Sequence, residues 1–204
     1  MKNKLLLLCL VSTISLSVYA TDTPVRDAYY RSYQYEQSQN YDDAIRALMP
    51  IYNGAPNAYT LNLRIGWLHY LSGHYNNSLT HYEKAAKTAP DAIEPILGQL
   101  LPLLAQQRYE EVEQYANKIL RQDKYNYYAN LRLIIAQRLQ NKLDTAQRNT
   151  QKMRTLYPSD VIFIEQDALI YEQKKEYEGA AALYWDLLIL DPESLNAKRY
   201  FGMN

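Results

Sequence analysis

The feature that most constrains this chain is a period. Starting at Tyr75, steps of 34 residues reach Tyr41 in one direction and Tyr109, Leu143 and Tyr177 in the other. The same step from Pro90 reaches Pro56, Lys124, Pro158 and Pro192. Columns that keep register without an insertion call for a repeated supersecondary unit. A unit of this length cannot bury its apolar face alone, so it must stack on copies of itself.

Within each step the apolar pattern has helical periodicity over two stretches of about 14 residues, joined by a short polar turn. Small or modest side chains recur at Ala44, Ser78, Val112, Ala146 and Ala180, where the two helices of a unit must cross closely. A second column, Ser32, Gly66, Leu100, Ile134 and Ala168, holds three small members. Tyr35, His69, Leu103, Gln137 and Tyr171 follow it by three residues, on the same helix face. The terminal prolines end the second helix of four of the five units, because proline cannot continue a helix and restricts the residue before it.

The first 20 residues have the order of a secretory signal. Lys2 and Lys4 lead, an apolar core runs from Leu5 to Leu16, and Val18-Tyr19-Ala20 forms a small-residue cleavage site. That core is too short for a permanent membrane span. Cleavage after Ala20 would remove Cys9, the one cysteine, so the mature chain would be held by packing without disulfides. It would also remove two lysines and change 22 cations against 22 anions to 20 against 22, a net charge near −2. That balance points away from nucleic acid and from anionic membrane surfaces.

These columns resemble the tetratricopeptide repeat (TPR) family over about residues 25 to 194. The unit at 59–92 matches best, with Gly66, Tyr75, Tyr82, Ala85 and Pro90 in the family's order. The unit at 161–194 follows with Ala168, Tyr171, Tyr177, Ala180, Tyr184 and Pro192. The units at 93–126 and 127–160 depart more, with Leu100 and Ile134 at the small position and Lys124 in place of a proline. The resemblance implies an all-α fold: a right-handed superhelical α-solenoid of about five helix-turn-helix units, 25–58, 59–92, 93–126, 127–160 and 161–194, with 195–204 as a short tail or cap.

It also implies a binding scaffold whose first helices line a concave groove, although fold alone does not fix function. Carried over position by position, the groove comprises Tyr29, Tyr33 and Glu36, then Leu63, Arg64, Trp67 and Tyr70. It continues with Leu97, Leu101 and Leu104, and with Tyr128, Leu131, Ile135 and Arg138. Tyrosine and tryptophan offer large contact area with few rotors to freeze, which suits a binding surface. The competing reading is that Trp67 and Tyr70 pack between helices. Tyr29 and Tyr33 stand where the carboxylate-clamp subgroup needs lysine and asparagine, so a partner with apolar or aromatic anchors is expected rather than an acidic tail.

No chemistry is expected. His69, His74 and His81 are spaced by five and seven, which puts no metal-binding i, i+4 pair on one helix. No glycine-rich phosphate loop, serine-nucleophile motif or mature thiol is present. The expectation is therefore a periplasmic, non-enzymatic adaptor of the bacterial cell envelope, without metal or cofactor, that binds a protein or peptide. The alternative is a structural subunit that self-associates through its C-terminal end, as a homodimer or a stack. There the last second helix is apolar on more than one face, and surface around Trp185 and Leu188 is expected to stay partly open, with Leu195, Tyr200 and Phe201 as the available cover.

Overall fold

The computed structural model describes residues 19–203, with side chains from Pro24 onward. The expected signal segment lies outside the described residues, except for Tyr19 and Ala20. All regular structure among the described residues is helical. The chain divides into two compact units, one ending at Ala55 and one beginning at Pro56. The first contains α1 (Tyr19–Gln37) packed on α2 (Tyr41–Gly54).

The second unit contains α3 (Tyr59–Leu71), α4 (Tyr75–Thr88), α5 (Glu94–Ala105), α6 (Tyr109–Gln122), α7 (Tyr127–Leu139), α8 (Leu143–Leu156), α9 (Val161–Gln173), α10 (Tyr177–Leu190) and α11 (Leu195–Phe201). Each helix packs on the next, and α3, α5, α7 and α9 also pack side by side in a row. This is the TPR solenoid arrangement, in which one row of first helices is backed by the second helices. The column of aromatic starts holds to the residue, since α2, α4, α6, α8 and α10 begin at Tyr41, Tyr75, Tyr109, Leu143 and Tyr177.

Burial explains why the period must be strict. Ala44, Ser78, Val112, Ala146 and Ala180 are fully buried, as are Ser32, Ile134 and Ala168, so a larger side chain at these crossings would separate the helices. Ser78 also donates its hydroxyl to the Gly66 carbonyl at 2.7 Å, which joins α4 to α3 through a group that would otherwise be buried unsatisfied. Between these crossings Leu100, Leu103, Val112, Ala116 and Ile119 form one continuous core with Ala129, Leu133 and Ala136 of the next pair.

The turn inside each pair has its own 34-residue rule. Gln39, Gly73, Gln107, Asn141 and Lys175 all adopt positive φ, between 58° and 77°. The residue after each returns a hydrogen bond to a carbonyl five back, as from Asn40 to Tyr35 and from Lys142 to Gln137, both at 2.9 Å. This closes the first helix with a left-handed cap. Only Gly73 adopts that conformation without a Cβ cost; the other four carry roughly 1 kcal/mol of strain each. Elsewhere α5 runs unbroken across Pro102, with Pro95 in its first turn where a missing donor costs nothing.

Candidate functional site

The row of first helices presents columns that never become buried. Leu63, Leu97 and Leu131 share one register position, Trp67, Leu101 and Ile135 the next, and Tyr70, Leu104 and Arg138 a third; all nine side chains are half-buried. A helix face packed on one side and open on the other gives this pattern. The columns continue on α9 as Glu165, Leu169 and Glu172, so the face changes from aromatic on α3, through aliphatic on α5, to acidic on α9.

Of the residues expected in a groove, Leu63, Trp67, Tyr70, Leu97, Leu101 and Arg138 therefore lie on one face of the second unit. Tyr128 borders it and is 55% exposed. Arg64 belongs to the packed side, at 7% exposure, and offers little surface. Tyr29, half-buried, and Tyr33, exposed, belong to the first unit, on α1. Trp67 and Tyr70 do contact each other, with ring centroids 5.6 Å apart and tilted by 34°, and Tyr70 reaches Tyr75 of α4 at 6.0 Å. The rings brace one another, and each stays half-buried.

Arg132 is not among the groove residues expected from the sequence, yet it sits beside this face. Its guanidinium lies over the Tyr128 ring at 5.2 Å and donates to the Leu97 carbonyl at 3.5 Å. Burial pulls its pKa below the ordinary arginine value, and the nearby Tyr128, Tyr70 and Tyr82 hydroxyls act against that fall. Arg138 is pulled down by burial too, while its Nε donates to Gln166 Oε1 at 3.2 Å. The sequence signal for Arg132 is a Tyr128 four residues earlier, one turn away on the same face.

The three histidines come together although their spacing argues against a shared helix. His69 stacks on His81 at 5.4 Å and meets His74 edge-on at 5.9 Å. His81 Nδ1 hydrogen-bonds Asn62 Oδ1 at 2.9 Å, and burial, aided by His69 and Lys84, pulls its pKa down to about 4. Stacked rings do not converge on a common point, and among the described residues no group of three His, Cys, Asp or Glu side chains could hold a metal ion.

At the C-terminal end Trp185 is 51% exposed, and its ring meets Phe201 at 4.6 Å with a 34° tilt. Leu188 is half-buried against the cluster of Ile164, Leu183, Leu187 and Ala197. Ile189, at 76%, and Leu195, at 82%, are open as well. Leu195 does not provide the expected cover, because α11 turns it outward while Tyr200 and Phe201 face α10. The reason is register: Leu195 lies 34 residues after Val161, so α11 takes the place of the first helix of a further unit rather than folding back as a tail.

No family model matches the chain, and no curated protein matches it. Solved structures do. A MamA chain from Desulfovibrio magneticus RS-1, beginning at its residue 41, superposes with a TM-score of 0.73 at 16% identity, over 85% of this chain and 98% of that one. MamA of MSR-1 gives 0.64 at 21% identity, over 82% and 98%. A thermophilic TPR protein of Thermus thermophilus, TTC0263, gives 0.69 at 15%, over 87% and 97%. At these identities the likeness establishes the fold, a TPR solenoid. No helix among the described residues is long and apolar enough to cross a membrane.

Proposed function

We propose that this chain is a non-enzymatic scaffold of the bacterial cell envelope that holds a protein segment along its row of first helices. The observation that supports this most directly is the set of nine half-buried positions on α3, α5 and α7, which are apolar or aromatic at every place but Arg138. A face that stays apolar and open over three successive units is suited to an extended or helical segment with spaced apolar anchors. Trp67 and Tyr70 would carry the largest share, since large rings with a polar edge dominate interface energetics.

The periplasm is the compartment this reading assigns, from the signal-like segment and the absence of any cysteine after residue 20. Two measurements test it. Fractionation of the producing cell, with mass spectrometry of the mature N-terminus, should find the chain in the periplasm beginning at Thr21. Crosslinking in intact cells should then recover a partner with the parent protein that is lost with a Trp67→Ala, Tyr70→Ala variant of equal abundance. Retention of the same partner by the variant would remove the face from consideration.

Self-association through the C-terminal end is a second reading, favoured by the open Trp185, Ile189 and Leu195. A concentration-dependent mass in sedimentation equilibrium, abolished by Ile189→Lys, would support it. A monomer at all concentrations would dismiss it.

A further inference from the structure

We propose that the cleft between α4, α5 and α6 is a binding site for a small amphipathic carboxylate. This is independent of the face proposed above. The cleft has a volume of about 510 Å³, within the size range of small-molecule sites. Pro90, Ile96, Ala86 and the Tyr115 ring supply apolar wall, and Gln99 lines it from α5.

The cleft exists because one joint in the repeat is left unfilled. Gln99, Leu133 and Asp167 occupy the same register position on α5, α7 and α9, and face the preceding second helix at Ala86, Leu120 and Arg154, which also share a register. In the last of these joints Arg154 fills the space and bonds Asp167 at 2.6 Å. In the middle one Leu120 packs against the cluster that contains Leu133. In the first, Ala86 is too short to cross, and the space its side chain leaves is the cleft.

Gln99 is only 3% exposed, and its side chain lines the cleft. An amide in the wall of such a cleft can donate its N–H to a bound carboxylate. Lys87 of α4 and Lys118 of α6 flank the cleft against a single acid, Glu83, so its charge favours an anion. An apolar body against Ile96 and Tyr115, with a carboxylate between the Gln99 amide and a lysine, satisfies every part of this lining.

Titration of isotope-labelled protein with decanoate, followed by NMR, tests the assignment. Saturable shifts confined to the Gln99 side-chain amide, the Ala86 methyl and Lys118 are expected. The Ala86→Leu, Gln99→Leu variant rebuilds the Leu120–Leu133 joint in this position, and should weaken decanoate binding by at least about tenfold with helicity unchanged. Lys87→Gln with Lys118→Gln should weaken decanoate more than decanol. If the filled variant does not fold, Gln99→Leu alone must weaken binding. The assignment is overturned by an absence of saturable shifts at Gln99, by equal binding to the filled or Gln99→Leu variants, or by shifts centred on Trp185 and Ile189 instead.

Discussion

Tyr82 of α4 and Tyr184 of α10 occupy the same place in their units, three steps of 34 residues apart, and are held in opposite ways. The Tyr82 ring lies on bare backbone. A Cβ added at Gly66 would stand 3.2 Å from it, and one added at Gly98 would overlap it. At the corresponding positions around Tyr184 the chain has Ala168 and Tyr200. There the ring packs on Tyr200 at 4.6 Å, tilted by 33°, and its hydroxyl donates to Glu172 Oε2 at 2.7 Å. Burial raises the pKa of both phenols, and at Tyr184 the Glu172 carboxylate adds to that rise. A repeat column thus specifies the residue that fills a gap, while the next unit decides what the gap is made of.

Removing each ring probes the two supports directly. Tyr82→Ala and Tyr184→Ala should each cost about 3–5 kcal/mol in chemical denaturation, as a buried ring leaves a cavity in a packed interior. Equal losses would show that the two supports, though different, are equivalent in strength. Gly98→Ala should cost about 1–3 kcal/mol, because the new methyl must displace the Tyr82 ring; an unchanged midpoint would mean that the ring has an alternative place to go.

Acid separates the two regions further. His81 adjoins Tyr82, and its pKa falls from 6.5 to about 4 on folding, so the folded chain resists the proton that the unfolded chain accepts. Stability is then full above about 6.5 and is lost as the pH falls toward about 4, by about 1–2 kcal/mol after allowing for partial exposure. Melting curves across that window should show the loss, and His81→Gln should remove it. The smallest effects are expected at Glu172→Gln, about 0.5–1.5 kcal/mol from one weakened hydrogen bond, and at Gly66→Ala. In the latter the helix gain of up to about 1 kcal/mol nearly offsets a tight contact with the Tyr82 ring.

Much of this fold is legible in the sequence, because a strict period leaves little freedom. The tyrosine column marks the start of each second helix, and the small-residue column marks each crossing. What escapes is whatever depends on two columns at once. Glycine at Gly98 is recognisable as small, but its neighbour Tyr82 lies 16 residues away across a joint. The meeting of His69 with His81 has the same origin, as spacing along one helix says nothing about an antiparallel partner. The open face is only partly legible. A register read one residue off turns a helix by roughly 100°, which is the difference between buried Arg64 and half-buried Leu63. At the C-terminus, the outward turn of Leu195 follows from α11 keeping the period, a consequence that reading 195–204 as a tail obscures.

The joint formed by Arg154 and Asp167 carries a further consequence for how the chain assembles. Asp167 is buried, one of its oxygens has no partner, and burial pushes its pKa up even though Arg154 works against that rise. Such a carboxylate tolerates only one neighbour. Near-identical units invite docking out of sequence, with a helix pair looped out and its neighbours closing over the gap. If α6 were to dock on α9 in that way, Leu120 would face Asp167 and leave an anion buried against an alkyl chain. If α8 were to dock on α11 with α9 and α10 looped out, Arg154 would face Phe201 and lose its carboxylate. The mismatched joints thus act as an address, so that units similar enough to exchange places are sorted into one order by the cost of meeting the wrong neighbour.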